Sequence, residues 1–369
     1  MQKKLLAVAV GTALAAGAFV AQADTTVYGR MHVSLDMYDA DGADTAANDF
    51  SGLNVSSNSS RLGVKGSHDL GGGLKAIWQI EADVFADEGT GNFNTTQTVG
   101  STGGTVNTNN FASRNTFGGF SGGWGTVVVG KHDTPYKLAT GKLDPFSETV
   151  GDYNTIVGDV NGANHFDLRT PNTVAYISPN WSGFSAAAAY TSFGAQQANG
   201  ADSQANQGFS IMGMYDQGPL FVSLAYEEHQ DVGGAGSSLD RSAVKVGAGF
   251  TMGAIKVGGV WESTDNDAVA TGSRDAWWLT GSYAMGNNSF SAAWGQLDDS
   301  DGADDGSDMW ALGWFNKLSK QTSIYVVYAD LSNDPAGVNR LGMSGHGDIV
   351  VPAAGGDSSA LSIGTIIDF

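Results

Sequence analysis

The chain has 369 residues, of which 53 are glycine, 7 are proline and none is cysteine, and its formal net charge at pH 7 is −20. This acidic balance argues against nucleic acid as a partner, because binding to phosphates requires a basic surface. The lack of cysteine excludes disulfides, metal–thiolate sites and a thiol nucleophile.

The first 23 residues have the pattern of a secretory signal peptide. Lys3 and Lys4 precede an apolar run of small residues over 5–20, and the next three residues supply an A-x-A cleavage pattern. A membrane anchor would need roughly 20 strongly apolar residues, so the run is too short for one. We therefore predict a signal peptide over 1–23 and a mature domain over 24–369, whose charge is two units more negative without the two lysines.

The first predicted strand, 25–38, alternates strictly between apolar and polar residues. An apolar outer face with a polar inner face is the reverse of a soluble barrel, and it is the pattern that a water-filled membrane barrel requires. The apolar face carries Val27, Gly29, Met31, Val33, Leu35 and Met37, and the polar face carries Tyr28, Arg30, His32, Ser34 and Asp36.

The same alternation recurs to the end of the chain and predicts sixteen strands. A closed antiparallel β-barrel is the structure that lets so polar a chain cross a membrane, because its backbone groups pair all the way round. We predict strands near 25–38, 53–68, 74–86, 111–122, 125–133, 172–180, 183–193, 207–216, 219–229, 240–252, 254–263, 274–286, 288–298, 307–317, 320–331 and 358–369.

Seven tight turns alternate with eight longer loops between these strands. This rhythm indicates an up-and-down meander in which the turns face the periplasm and the loops face the exterior. A soluble propeller would also alternate, but the sequence shows no repeated blade signature. The predicted loops are 39–52, 87–110, 134–171, 194–206, 230–239, 264–273, 299–306 and 332–357.

The third loop, 134–171, contains Asp144, Glu148, Asp152 and Asp167. An external loop of this length is usually functional or disordered, and folding into the lumen would give it a function. The strand registers place several basic side chains together on the inner face, and we call this set the basic wall. Its members are Arg30, Arg61, Lys65, Arg114 and Lys131.

A wall of like charges is tolerable only where water fills the lumen and opposite charges stand across it. The resulting transverse field would orient dipolar solutes and separate the paths of cations and anions. The alternative is that these cations are ordinary solvated lumen residues or trimer contacts. Acidic outer loops favour cations at the mouth, so we expect weak selectivity that leans towards cations at low salt and approaches neutrality at high salt.

A resemblance to a known family rests on five stretches of the first half and on the C-terminal Phe369. The stretches are 26–30 (TVYGR), 56–66 (SSNSSRLGVKG), 69–80 (DLGGGLKAIWQI), 111–117 (FASRNTF) and 125–137 (GTVVVGKHDTPYK). On these motifs the chain resembles the general porins of Gram-negative bacteria, particularly their proteobacterial branch. The match is looser in the second half, where it rests mainly on the regular alternation of short turns and longer loops.

The resemblance implies a homotrimer of sixteen-stranded barrels in the outer membrane, each with its third loop folded inward, for passive diffusion of small hydrophilic solutes and ions. It implies contact with outer-membrane lipid and lipopolysaccharide, and assembly by the barrel assembly machinery through the last strand, with Phe369 as the signal. In the resembling porins, basic residues at the positions of Arg30, Arg61, Arg114 and Lys131 face acids of the loop. Asp144 and Glu148 are the predicted counterparts here, with Asp152 as a further candidate.

Other functions stay open at this point. A substrate-specific porin is the closest alternative, because specificity depends on where the loop side chains lie. An outer-membrane protease or phospholipase would have a smaller barrel, and the sequence contains no G-x-S-x-G elbow. A receptor would need an N-terminal plug, and an adhesin would display its loops. The acidic run 298–308 lacks the terminal glutamate of an EF-hand, and no histidine pair has metal-ligand spacing, so we predict no catalytic residues, cofactor or metal.

Overall fold

The structure is a computed structural model that describes residues 24–45, 48–87, 94–99, 104–109, 112–160, 163–164, 166–192, 207–230, 240–267, 272–343 and 345–369. The predicted signal peptide and the predicted loop 194–206 lie outside the described residues. Among the described residues, no helix is both long and apolar enough to cross a membrane.

Strands make up most of the described chain, and they alternate with short turns at one end of the sheet and longer connections at the other. In the first half the strands are β1 Asp24–Thr45, β2 Asn48–Ser57, β3 Arg61–Gly71, β4 Leu74–Asp83, β5 Asn94–Val99, β6 Gly104–Asn109, β7 Thr116–Gly122, β8 Gly125–Asp133, β9 Asp159–Val160, β10 Ala163–Asn164 and β11 Arg169–Ile177.

The second half is a regular antiparallel meander in which each strand pairs with the next. Its strands are β12 Phe184–Ser192, β13 Gln207–Gln217, β14 Leu220–Gln230, β15 Arg241–Met252, β16 Ile255–Asn266, β17 Arg274–Met285, β18 Asn288–Leu297, β19 Ser307–Lys317, β20 Thr322–Asn333 and β21 Ser358–Asp368.

The sheet closes into a barrel because β21 pairs with β1 over eleven residues, from Arg30–Asp368 to Ala40–Ser358. The C-terminal part of β1 pairs with β2, and its N-terminal part pairs with β3. β2 and β3 therefore form one barrel strand, which is interrupted at 58–60. The seventeen strands of the sheet therefore make sixteen barrel strands, which confirms the predicted fold class. The pairs β5–β6 and β9–β10 form separate two-stranded sheets in the external connections.

The first hairpin is longer than the sequence predicts. β1 continues to Thr45 and β2 begins at Asn48, so most of the predicted loop 39–52 is strand. Aspartates in this stretch interrupt the apolar pattern, but backbone pairing does not require apolar side chains once a strand extends beyond the lipid. Tyr38 and Ala40 still face inward and are buried.

The two faces of the barrel differ as the alternation predicts. On β1, Leu35 and Met37 are exposed on the outer face, while His32, Ser34 and Asp36 are buried on the inner face. The tight turns use glycines in the left-handed region, which suits two-residue hairpins because residues with a Cβ rarely adopt it. An apolar outer band with a polar interior is the arrangement of a membrane barrel.

The third loop runs over 134–168 in the structure and folds into the lumen, as predicted. It contains a short helix α1, Pro135–Leu138, and 3₁₀ turns at Gly141–Leu143 and Tyr153–Thr155. The loop has an apolar side that packs inside the barrel against the second-half strands. That side carries Leu143, Phe146, Val150 and Ile156, which cluster with Trp278, Met309 and Val327.

Candidate channel constriction

The third loop begins and ends at fixed points on neighbouring strands. Thr134 caps α1 by accepting a hydrogen bond from the Lys137 backbone N–H (3.3 Å), and Pro135 occupies the first turn, where it needs no hydrogen-bond donor. Arg169, the first residue of β11, binds Asp133, the last residue of β8 (3.1 Å). The loop is therefore closed at its root by an ion pair between the two strands that carry it.

The base of the third loop is anchored to β15 and β16 by a buried polar network. The Lys245 ammonium pairs with the Asp167 carboxylate, and neither side chain is exposed. The same ammonium lies 4.1 Å from the centre of the Tyr136 ring. The Tyr136 hydroxyl donates to Glu262 (2.7 Å), which also accepts a hydrogen bond from the Gly158 backbone (2.6 Å). This network holds the loop against the second-half wall, which is the side of the barrel that β12–β21 form.

The tip of the third loop reaches the opposite side of the lumen. The Glu148 carboxylate binds the Arg61 guanidinium (2.7 Å) and the Arg30 guanidinium (3.1 Å), and one of its oxygens lies 3.8 Å from Nδ1 of His32. Burial acts to raise the pKa of Glu148, but the nearby His32 ring and the charges of Arg61 and Arg30 outweigh it and lower the pKa to about 2. Glu148 is therefore ionised at neutral pH.

The backbone of Glu148 is held in an unusual conformation. Its φ is 63°, in the left-handed region that favours glycine. The Glu148 N–H donates to the Asp152 carboxylate (2.7 Å), so a second acid of the loop fixes this geometry. Strained backbone of this kind concentrates at functional positions.

The other acids predicted on the loop lie within it and do not contact the basic wall. Asp144 accepts hydrogen bonds from the backbone N–H groups of Phe146 (2.9 Å) and Tyr153 (3.2 Å). Asp152 accepts from the Asn154 N–H (2.9 Å) as well as from Glu148. Burial raises the pKa of both carboxyls. Glu148 is thus the predicted acid that the structure brings to the wall.

The basic wall consists of several paired groups. Arg114 binds Glu81 (2.8 Å) and Asp83 (3.0 Å) of the neighbouring strand. The Lys131 ammonium donates to a backbone carbonyl at Ser113. Each of these cations therefore already has an oxygen partner, so the wall is less positive than a count of its basic residues suggests.

The remaining predicted residues lie away from the loop tip. Lys65 faces inward with its ammonium 4.8 Å from the centre of the Tyr28 ring, on the turn side of Arg61. Phe369 exchanges two backbone hydrogen bonds with Gly29 (2.9 and 3.1 Å), and its ring is about half exposed. The C-terminal residue thus completes the pairing of the first and last strands.

Several charged residues of the lumen were not among the predicted site residues. Glu81 and Asp83 on β4, and Asp368 beside Arg30, partner the wall arginines. The period-two register that selects Arg61 also places Glu81 and Asp83 on the inner face, so this signal could have found them. Arg169 was also missed, because it falls inside the predicted loop 134–171, whereas in the structure it is the first residue of β11.

Open space runs between the loop tip and the first-half wall, which is the side of the barrel that strands of the first half of the chain form. One cavity of about 400 Å³ is lined by Glu148, Asp133 and Lys137 among others, and a second of about 280 Å³ is lined by Asp83 and Asp87. Arg114 and Arg169 line both cavities. These shared side chains indicate a continuous passage in which acidic and basic groups face each other.

Comparisons with known proteins agree with this architecture. A family profile described as Gram-negative porin matches residues 7–336. The chain is 30% identical to outer membrane porin protein 32 of Delftia acidovorans, over 94% of this chain and 93% of that protein. It is 28% identical to an outer membrane porin protein of Bordetella pertussis, over 88% of this chain and 93% of that protein.

Among solved structures, an anion-selective porin from Comamonas acidovorans superimposes with a TM-score of 0.72 and 25% identity, covering 94% of this chain and all of that one. A trimer form of OmpT from Vibrio cholerae superimposes with a TM-score of 0.64 over 94% of this chain and 99% of that one. Its 16% identity makes it evidence for the fold alone.

Proposed function

The chain belongs to the Gram-negative porin family and is a channel protein of the outer membrane, and we propose that the contact of Glu148 with Arg30 and Arg61 forms its constriction. The channel passes small hydrophilic solutes and ions by diffusion. The observation that supports this site is the loop tip itself: a strained, ionised glutamate placed between two arginines beside the open passage.

We propose weak ion selectivity. The structural relative from Comamonas acidovorans carries the description anion-selective, but here each arginine around the passage has a carboxylate partner. Arg114 binds two carboxylates, those of Glu81 and Asp83, and Arg169 binds the carboxylate of Asp133. Because the fixed charges nearly balance at the narrow region, the net acidic charge of the whole chain decides the sign, which favours cations at low salt.

The remaining features follow the family. We propose a homotrimer without enzymatic activity, exported by the signal peptide 1–23, with 24–369 as the mature barrel domain. We also propose lipopolysaccharide contacts around the barrel and recognition of Phe369 during assembly. The fold is compatible with a trimer, since the Vibrio structure of the same fold is recorded in a trimer form.

Planar-bilayer conductance tests the channel, and reversal potentials in a salt gradient test its selectivity. We expect ohmic steps in groups of three and a small preference for cations that disappears at high salt. A protein that inserts into bilayers but never conducts would contradict the function. Saturating conductance for one sugar or organic acid would favour the alternative, a substrate-specific porin.

Neutralising two arginines tests the constriction. Arg61→Gln with Arg114→Gln should shift the reversal potential towards cations and admit larger sugars in liposome swelling, because long guanidinium side chains also narrow the passage. Lys75→Gln, an exposed basic residue at the turn end of β4, is the matched control. If the double variant behaves like the control, these arginines do not line the narrowest point.

A further inference from the structure

The connection between β20 and β21, which we call the eighth loop (described over 334–343 and 345–357), also folds into the barrel. Asn339, Leu341 and Met343 are buried, with exposures of 1%, 0% and 3%. Leu341 belongs to the same apolar cluster as Phe146 of the third loop. An external loop that lay over the mouth in water would not bury these side chains.

The eighth loop packs directly on the third loop. The Asn339 side-chain amide donates to the Thr155 carbonyl (3.0 Å), and the Thr155 hydroxyl donates to the Arg340 carbonyl (3.2 Å). At Gly345, a Cβ atom would lie 2.9 Å from Cα of Glu148 and 2.8 Å from the Asp152 carboxylate. Only glycine permits this approach, so the eighth loop touches the backbone of the constriction residue itself.

The interruption between β2 and β3 receives the eighth loop. The Ser59 hydroxyl donates to the Gly345 carbonyl (3.0 Å), and the Gly347 N–H donates to the Asn58 side chain (3.0 Å). Ser59 has a φ of 51°, which turns these residues out of the sheet ladder. The break in this barrel strand therefore provides the hydrogen-bonding groups that hold the loop.

A buried histidine attaches the loop to the barrel wall. Nε2 of His346 lies 3.0 Å from the Asp36 carboxylate, and its Nδ1 lies 2.8 Å from the Asp348 carbonyl. Both ring nitrogens therefore lie close to an oxygen, one on the barrel wall and one in the loop. The side chains of His346 and Asp36 are fully buried, which strengthens their attraction.

The groups around this pair come from five parts of the molecule. β1 contributes Asp36, His32 and the Tyr38 hydroxyl, which donates to the Asp348 carbonyl (3.3 Å). β2 and β21 contribute only the Ser56 and Ser362 hydroxyls beside Asp36. Asp348 comes from the eighth loop, and Asp87 of the second external connection lies near it.

We propose that the eighth loop is a second element that sets the size limit of the channel, and that the buried contact between His346 and Asp36 clips it into the lumen over the tip of the third loop. Gly345, His346 and Asp348 line the same cavity as Arg114, Arg169 and Asp83. Solutes that reach the constriction therefore pass between the eighth loop and the first-half wall. This inference rests on the proposed function only in taking the lumen as the solute path.

Shortening the loop tests the size limit. The Gly355 N–H already donates to the Gly337 carbonyl (2.9 Å), so replacing residues 338–354 with Gly-Gly closes the loop without moving β20 or β21. We expect larger single-channel conductance and faster liposome swelling with larger sugars. Wild-type channels that conduct, together with a shortened variant of unchanged conductance and size limit, would overturn this inference while leaving the proposed function intact.

Thiol labelling tests the clip without deleting anything, because the chain has no cysteine of its own. A membrane-impermeant maleimide should label Leu341→Cys slowly and Val351→Cys rapidly, since Leu341 is buried and Val351 is 46% exposed in the same loop. Adding His346→Gln or Asp36→Asn should accelerate labelling of Leu341→Cys by about 10- to 100-fold, the expected effect of losing a buried polar contact to a carboxylate. His68→Gln, a histidine on β3 outside the loop, is the matched control and should change nothing.

Equal labelling rates of Leu341→Cys with and without His346 would show that the contact between His346 and Asp36 does not hold the loop.

Discussion

The third loop forms ion pairs with the barrel at its base and at its tip. At its base, the Lys245 ammonium and the Asp167 carboxylate are both fully buried. At its tip, the Glu148 carboxylate binds Arg30 and Arg61, and the three side chains keep exposures of 15%, 29% and 18%. The ion pair at the base is fully buried, and we call it the dry pair. The ion pairs at the tip are partly hydrated.

This difference in hydration separates two tasks. A buried ion pair is costly to break, because removing one partner leaves the other charge without water or a counter-charge. It therefore fixes the position of the loop. A hydrated pair contributes less to stability, but its field reaches solutes and ions in the passage. The loop is positioned at one end and presents its charge at the other.

The largest expected effect comes from breaking the dry pair. Lys245→Met leaves the Asp167 charge buried and should destabilise the third loop by roughly 3–5 kcal/mol. Chymotrypsin should then cut the loop in the folded barrel, and single-channel recordings should become noisy. Lys245→Met with Asp167→Asn should recover most of the protection, because a buried pair can be replaced by neutral groups at little cost.

An exposed lysine of the same loop provides the control for that prediction. Lys142 pairs with Asp216, and these side chains are 56% and 40% exposed. Lys142→Met should cost about 1 kcal/mol or less and leave the loop resistant to chymotrypsin. Equal resistance of the Lys245→Met variant would contradict the assignment of the dry pair as the anchor.

An intermediate effect comes from neutralising the tip. Glu148→Gln leaves Arg30 and Arg61 with less negative charge opposite them, so the reversal potential should shift towards anions while the loop stays in place. Asp144→Asn changes a buried carboxyl whose pKa is raised and which only accepts hydrogen bonds from loop backbone N–H groups, so it should leave selectivity unchanged. A shift of equal size in both variants would mean that the Glu148 contact does not set the selectivity.

The smallest effect concerns pH and the tip alone. The folded-state pKa of Glu148 lies below its usual value, at about 2, so its ion pairs are present at neutral pH and are lost only as pH falls through about 2. The difference in reversal potential between wild type and Glu148→Gln should therefore persist from pH 7 to about pH 3 and vanish only as pH falls through about 2. If this difference disappears already near pH 4.5, the arginines do not stabilise the ionised carboxyl.

Particular residues show how far the sequence could go towards this site. The inner register of Arg30 and Arg61 follows from a period of two, because each strand has only two faces, whereas Arg114 lies just before β7. The loop acids carry no such period. Asp144, Glu148 and Asp152 look alike in the sequence, yet in the structure only Glu148 contacts the wall, while the others accept hydrogen bonds from loop backbone. Which of these acids points from the loop towards the basic wall depends on the backbone path of the irregular third loop.

Sixteen strands, the alternation of short turns with longer loops, the inner face and the family could all be predicted from the amino-acid order, since local alternation and turn residues encode them. Three features emerged only from the folded barrel: where β1 ends, why the strand opposite it breaks at 58–60, and that the eighth loop enters the lumen beside the third. These features depend on contacts between residues hundreds of positions apart, such as Asn58 with Gly347 and Asp36 with His346. No local pattern encodes such pairs, because their partners meet only once the barrel has closed.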